Sequence, residues 1–283
     1  MSPLHERLAD ARARLVRAGI PKDEAALDAE VLARHVLNCD RATLLTRATD
    51  PLPSAFGRIY DELVQRRTTR EPVAYIIGHR EFWGLEFDVT PDVLIPRPET
   101  ELVVEEALSA FPHRPVVRRV IDVGTGSGCL AVVLAIEFAS AGVIGVDSSP
   151  TALHVARGNA DRHNVSERVS FVHGDLLRNV HRSADLIVSN PPYVPDDDAA
   201  TLQPEVARFE PASALYAGPD GLGVIRALLE QAPDCLAREG RLIVEFGFGQ
   251  ESAVREAALQ SGWTTERVRR DLQGIPRVAV LRR

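Results

Sequence analysis

Lysine is almost missing from this 283-residue sequence: Lys22 is the one lysine among 33 basic residues, a bias of base composition without functional content. Cysteine is scarce too. Cys39, Cys129 and Cys235 are odd in number and widely spaced, which excludes a disulfide framework or a zinc ribbon and suits a reducing compartment. No apolar run is long enough for a bilayer. The longest, Cys129 to Ile136, has eight residues where a spanning helix needs roughly 20. The first residues carry acids, so no signal peptide is expected. An excess of positive charge is also lacking. The net charge is −7, split as +2 over residues 1–80 and −9 over 81–283, which weighs against a protein built to grip a nucleic-acid backbone.

What is present is ordinary globular material, 45% hydrophobic and 26% charged, which excludes a disordered or fibrous chain. The length is about twice a typical domain. Leu4, Leu8, Ala11 and Leu15 share one helical face, and Gly19-Ile20-Pro21 ends that segment. A second helix fits Asp23 to Leu37 with Asn38 as its stop. Asp40 is expected to cap a third helix, and Ser54 a fourth through Phe56, Ile59 and Leu63. His35 and Cys39 lie one turn apart, but no second pair accompanies them, so a metal site is not expected.

The pattern changes at Glu71-Pro72. Tyr75 to Val89 has strand character, broken at Gly84 as in a hairpin. Beyond Pro98, strands are expected at 116–123, 143–147, 169–173, 185–189 and 241–246, with a last one at 278–281. Helices are expected around 99–110, 127–139, 150–163, 220–236 and 250–261. Such alternation indicates a parallel sheet covered on both faces, an α/β fold.

The first of these strands runs into Gly124-Thr125-Gly126-Ser127-Gly128 and then an apolar helix. Glycines at a strand-to-helix turn let a ligand approach the backbone in front of a helix N-terminus. The third glycine stands one position earlier than a dinucleotide fingerprint requires. Gly-x-Gly-x-Gly resembles instead the cofactor loop of class I S-adenosylmethionine methyltransferases. Asp147 closes the second strand, where an acid can accept from both ribose hydroxyls. Asp175 follows the third, where that fold recognises the adenine amino group. The fourth ends in Asn190-Pro191-Pro192-Tyr193, which resembles the motif of methyltransferases acting on planar amide or amino nitrogens. Such a nitrogen is a poor nucleophile because its lone pair is delocalised. The Asn190 side chain and the Pro191 carbonyl can accept its two N–H groups and turn the lone pair toward the methyl, while Tyr193 offers a flat face.

Further segments extend the likeness. Ile95-Pro96-Arg97-Pro98-Glu99-Thr100-Glu101, Arg80-Glu81-Phe82-Trp83-Gly84, Arg208-Phe209-Glu210-Pro211 and Glu245-Phe246-Gly247 together resemble the HemK/PrmC family, whose members methylate the glutamine side-chain amide of the Gly-Gly-Gln motif in peptide chain release factors. The resemblance implies a helical substrate-docking domain (1–74), a β-hairpin linker (75–96) and a Rossmann-like methyltransferase domain (97–283). It implies S-adenosylmethionine contacts at Gly124, Thr125, Gly126, Ser127, Gly128, Asp147, Asp175, Leu176 and Asn190. Substrate contacts are implied at Asn190, Pro191, Pro192 and Tyr193, and no metal. Some relatives carry an aromatic where Leu176 stands, so stacking on adenine is expected to give way to apolar contact.

The expected protein is a cytoplasmic monomer with a release factor as partner and no direct contact with nucleic acid or membrane. Two rivals remain. An adenine-N6 methyltransferase on DNA or RNA explains Asn190–Tyr193 but not Ile95–Glu101. A non-enzymatic adaptor leaves the intact Asn190 and Gly124–Gly128 without purpose. Asp196-Asp197-Asp198 reads as a solvated acidic loop or as an attractor for a basic protein.

Overall fold

The computed structural model describes residues 3–46, 50–178, 180 and 183–283. The chain forms two units: Met1–Gly78 together with Gln203–Phe209, and His79–Leu202 together with Glu210–Arg283.

The first unit is helical: α1 (Leu4–Arg17), α2 (Lys22–Leu37), α3 (Arg41–Thr46), α4 (Phe56–Thr68) and α5 (Val73–Ile77). Leu4, Ala11 and Leu15 of α1 are buried, in the same core as Leu32, Phe56, Tyr60 and Val64. Asn38 ends α2 in the left-handed conformation, at φ 47°. Asp40 Oδ1 accepts the Thr43 N–H at 2.7 Å, the cap expected there. Ser54 does not cap α4. Ala55 holds that position without a side-chain bond, and the Phe56 N–H donates to the Pro53 carbonyl, so the preceding turn already satisfies it. The strand expected from Tyr75 also starts later. Ala74, Tyr75 and Ile76 lie buried in α5, where helical packing overrides their strand propensity until Gly78, at φ 83°, ends the helix.

In the second unit, β1 (His79–Phe82) and β2 (Leu85–Asp88) pair as the expected hairpin, with Trp83 and Gly84 both at positive φ in the turn. Glu101 Oε1 accepts the Trp83 backbone N–H and Glu137 Oε1 its indole N–H, which fixes the hairpin to this unit. Then follow α6 (Glu101–Ala110), β3 (Arg119–Val123), α7 (Cys129–Glu137), β4 (Gly142–Asp147), α8 (Pro150–Arg162), β5 (Val169–His173) and β6 (Ala184–Ser189). The chain leaves for α9 (Pro204–Phe209), which belongs to the first unit. It returns for α10 (Gly223–Gln231), β7 (Leu236–Glu245), α11 (Glu251–Gln260), β8 (Thr264–Arg270) and β9 (Pro276–Arg282).

The seven strands run in the order β5-β4-β3-β6-β7-β9-β8, the first five parallel and β9 antiparallel to both its neighbours, β7 and β8. Cys129 to Ala135 are all buried, so α7 is apolar all round, as a helix within a core must be. β4 lies on one side of β3 and β6 on the other. The chain reverses its order there, and open α/β sheets bind ligands at the carboxyl ends of such strands.

Candidate active site

β3 ends at Val123, and the next residues must turn sharply to start α7. Gly124, Gly126 and Gly128 all have positive φ, 73°, 55° and 80°, a conformation that other residues adopt only with strain. At Gly128 even the space is closed, since a Cβ would meet that of Ala156 at 3.0 Å. Asp122 ties the turn together from below. It is fully buried, and its Oδ2 accepts the Thr125 hydroxyl at 2.6 Å and the Ala131 N–H at 3.1 Å. Burial pushes its carboxyl up to about 7 against those two hydrogen bonds.

Asp147, at the end of β4, holds the turn from the side. Its Oδ2 accepts the Gly126 N–H at 2.8 Å, and Oδ1 the Ser149 N–H at 2.9 Å. Each oxygen keeps a further lone pair for a ligand. Asp175 is exposed beside Arg178, and Leu176 is left-handed at φ 53°, an uncommon conformation for a bulky side chain.

A cavity of about 310 Å³ opens over these strand ends, within the range of small-molecule sites. Gly124, Thr125, Gly126, Ser127, Asp147, Asp175, Leu176, Asn190 and Pro192 line it. Gly128, Pro191 and Tyr193 are not part of the lining: Gly128 packs on α8, and Pro191 is buried. The glycine cradle, the carboxylate beside it and the apolar wall of Val93, Leu94 and Leu176 together fit a nucleoside-bearing methyl donor.

The Asn190–Tyr193 segment is held at several points. The Asn190 Nδ2 donates to Thr100 Oγ1 at 2.9 Å. The Tyr193 hydroxyl donates to Glu245 Oε1 at 3.4 Å, and its carbonyl accepts Gln250 Nε2 at 3.0 Å. Burial, with the Glu245 charge beside it, raises the phenol above its ordinary range. Glu245, 1% exposed at the end of β7, is pushed up to about 7 by burial. The sequence reading gave Thr100, Glu245 and Gln250 no role. The available signal was positional, since Glu245 closes a parallel strand as Asp147 does. The segments 95–101 and 208–211 meet where Glu210 accepts from the Arg97 guanidinium and from the Ile95 N–H. Asp196–Thr201 is an exposed 3₁₀ turn, and among the described residues no cluster of ligating side chains fits a metal ion.

A parallel sheet with this strand order, a glycine cradle and a carboxylate ending the next strand define an S-adenosylmethionine-dependent methyltransferase of the Rossmann-like kind. The comparisons agree. The PrmC N-terminal domain matches residues 6–78, and the Methyltransferase small domain matches 101–208. The chain is 42% identical to a release factor glutamine methyltransferase of Geobacter sulfurreducens over 94% of this chain and 92% of that one. It is 40% identical to that of Nitratidesulfovibrio vulgaris, over 98% and 94%. With that of Neisseria gonorrhoeae it shares 44%, over 90% and 92%. Among solved structures, a methyltransferase from Pyrococcus furiosus superposes with a TM-score of 0.51 at 19% identity, covering 71% of this chain and 89% of that one. The N-terminal domain of human METTL16 in complex with SAH superposes at 0.50 and 16%, covering 71% and 76%. Both show a shared fold. The chain belongs to the release factor glutamine methyltransferase family.

Proposed function

We propose that this chain transfers a methyl group from S-adenosylmethionine to the side-chain amide nitrogen (N5) of the glutamine in the Gly-Gly-Gln motif of peptide chain release factors. The observation that carries the chemistry is the Asn190 amide. Its Nδ2 is committed to Thr100, which leaves Oδ1 as an acceptor at the edge of the cavity. Asn190 Oδ1 and the Pro191 carbonyl accept the two N–H groups of the substrate amide, twist its lone pair out of conjugation and stabilise the positive charge that develops. Pro192 lines the cavity beside Asn190 and offers the wall against which the flat group packs, while Tyr193, outside the lining, anchors the segment through Glu245 and Gln250.

The residues that hold the methyl donor are the backbone of Gly124–Gly128, Asp147 at the ribose, Asp175 and Leu176 at the adenine, and Asn190. When bound, the donor supplies an electrophilic methyl on a sulfonium, a reaction that needs no metal. No residue is required as general base, because the nitrogen becomes acidic once methylated.

The helical unit is the docking surface for the release factor. A glutamine side chain offers few contacts, so one protein is distinguished from others by surface remote from the reaction. The same reading makes the chain a cytoplasmic monomer with no direct grip on nucleic acid, in keeping with its acidic charge. Among the described residues no helix is long and apolar enough to cross a membrane.

Mass spectrometry of a release factor incubated with the protein and S-adenosylmethionine tests the reading. One added methyl on the Gly-Gly-Gln glutamine is expected. An unmodified factor, with methyl appearing on adenine in a nucleic acid instead, overturns it.

A further inference from the structure

The buried face of α8 carries Ala152, Leu153, Ala156 and Ala160, and among them stands one polar side chain, Asn159, at 0% exposure. Asparagine is a poor helix former, and a buried amide is costly unless its donors and acceptor are matched. Here they are. Oδ1 accepts the Asp88 N–H at 2.8 Å, while Nδ2 donates to the Asp88 carbonyl at 3.0 Å and to the Ser127 carbonyl at 2.8 Å. Both hydrogens on Nδ2 are in use, and turning the amide over would break all three bonds.

The two bonds to Asp88 close a ring of the kind that joins neighbouring strands. β1 and β2 form a two-stranded sheet, and the N–H and C=O of Asp88 point out from its edge to the Asn159 amide. A primary amide presents one donor and one acceptor side by side, so Asn159 stands in for a third strand over one residue. The third bond reaches the glycine turn. Ser127 is buried and lines the cavity, and the next residue, Gly128, packs against Ala156, three positions before Asn159 on the same helix face.

One side chain therefore holds two parts of the same cavity. Ser127 belongs to the glycine turn. Asp88 ends β2, and after a turn in which the Val93 N–H donates to the Thr90 carbonyl, Asp92, Val93 and Leu94 join the lining. We infer that Asn159 is a positioning residue for the methyl donor, its amide fixing the Ser127 end of the glycine turn to the root of the 92–94 wall. The hairpin is then part of the frame of the cofactor site and not a linker alone. This requires the donor to sit in the cavity and is independent of which amide receives the methyl.

The hairpin has a second attachment to the same helix, at the surface. Arg162 Nη1 donates to Asp88 Oδ1 at 2.7 Å and Nη2 to Glu86, and His163 Nε2 lies 2.9 Å from the Glu86 carbonyl. The partners of both side chains lie in the hairpin. The two attachments thus separate two roles: a change at Arg162 loosens the hairpin alone, and a change at Asn159 also releases Ser127. The difference in burial adds to the contrast, since an exposed ion pair contributes little and a fully matched buried amide much more.

The test uses the full chain and S-adenosylmethionine. In Asn159→Ala, affinity by calorimetry, well below the unfolding midpoint, should fall at least about tenfold, because the turn must then be ordered at the moment of binding. Arg162→Ala should stay within about twofold of the unmodified protein. A second arm reads the unmodified protein and does not depend on a variant folding. Saturating donor should slow hydrogen exchange of the Asp88 amide at least about threefold, since ordering the glycine turn also steadies the side chain that holds Asp88. That response should persist in Arg162→Ala and vanish in Asn159→Ala. Full affinity in Asn159→Ala, an equal loss in Arg162→Ala, or Asp88 exchange indifferent to the donor overturns the inference and leaves the proposed methyl transfer standing. An unmodified protein that shows no binding of the donor overturns the cofactor assignment first, and the inference with it.

Discussion

The Arg67 guanidinium donates through Nη1 to Glu205 Oε1 at 2.7 Å, although 138 residues separate the two in sequence. Arg67 also meets Asp28 at 2.7 Å and Glu24 at 2.8 Å, and its side chain is 2% exposed. Arg70 takes the other oxygen of Glu205. Arg67→Met should destabilise the protein by about 3–5 kcal/mol, because it leaves Asp28 buried without its cation and Glu205 with Arg70 alone. Urea unfolding reads this directly, and a midpoint unchanged from the parent protein would remove the cluster from any part in holding the helical unit together.

Asp147 has two tasks in one carboxylate: it holds the Gly126 and Ser149 N–H groups and is proposed to hold the ribose. Charge-assisted hydrogen bonds contribute about 1.5–3 kcal/mol each. In Asp147→Ala, S-adenosylmethionine affinity should fall at least about tenfold, the equivalent of 1.4 kcal/mol. Calorimetry at fixed pH measures it, and full affinity in the variant would place the ribose elsewhere.

Asn190→Ala removes the acceptor at the substrate nitrogen. Loss of one preorganised polar contact in other enzymes slows the chemical step by about 10²–10³, and a drop of at least about a hundredfold in single-turnover rate is expected here. Cofactor affinity should change far less. Near-normal chemistry in this variant would mean that Asn190 does not orient the nucleophile.

Asp122 links stability to pH. Its carboxyl sits at about 7 in the folded chain against 3.8 ordinarily, so the folded state holds its proton more tightly than the unfolded one. Stability from this group is complete below about pH 4 and is lost progressively up to about pH 7, beyond which the loss is constant. Asp122→Asn carries no ionisable proton. Its stability relative to the parent protein should rise across that window and level off above it, as followed by denaturant midpoints at several pH values. A difference that does not vary with pH would show that Asp122 is not the group responsible.

The strand ends were the legible part of the site, because a glycine run and single acids after apolar strands leave a mark in sequence that needs no knowledge of packing. Thr100 and Glu245 stand in segments that the family resemblance picked out, but no residue pattern gave either of them a role. Both are buried and bonded to the Asn190–Tyr193 segment, which is visible only once the turn before α6, the segment after β6 and the end of β7 are brought together. In the fold, β8 was missed because Thr264–Arg270 is an edge strand rich in arginine and threonine, the composition that keeps an open edge from pairing with another chain. α5 was taken for strand because β-branched and aromatic residues suit both states over five positions, and only Pro72 and Gly78 at its ends argue otherwise. The membership of α9 in the helical unit was beyond reach, since its warrant is Glu205 meeting Arg67 and Arg70.

That membership governs how the protein is made. A ribosome delivers Arg67 early, and 124 residues lie between Gly78 and Gln203, the stretch that closes the helical unit. At 5–20 residues per second the nascent bundle waits about 6–25 s for Glu205. Throughout that interval it is an unfinished body with one acid absent from around its arginine, and a chain aborted before residue 203 never acquires it. Birth of the two units is therefore not sequential, N-terminal first; the bundle is started first and completed only after four of the seven strands of the larger sheet have been synthesised.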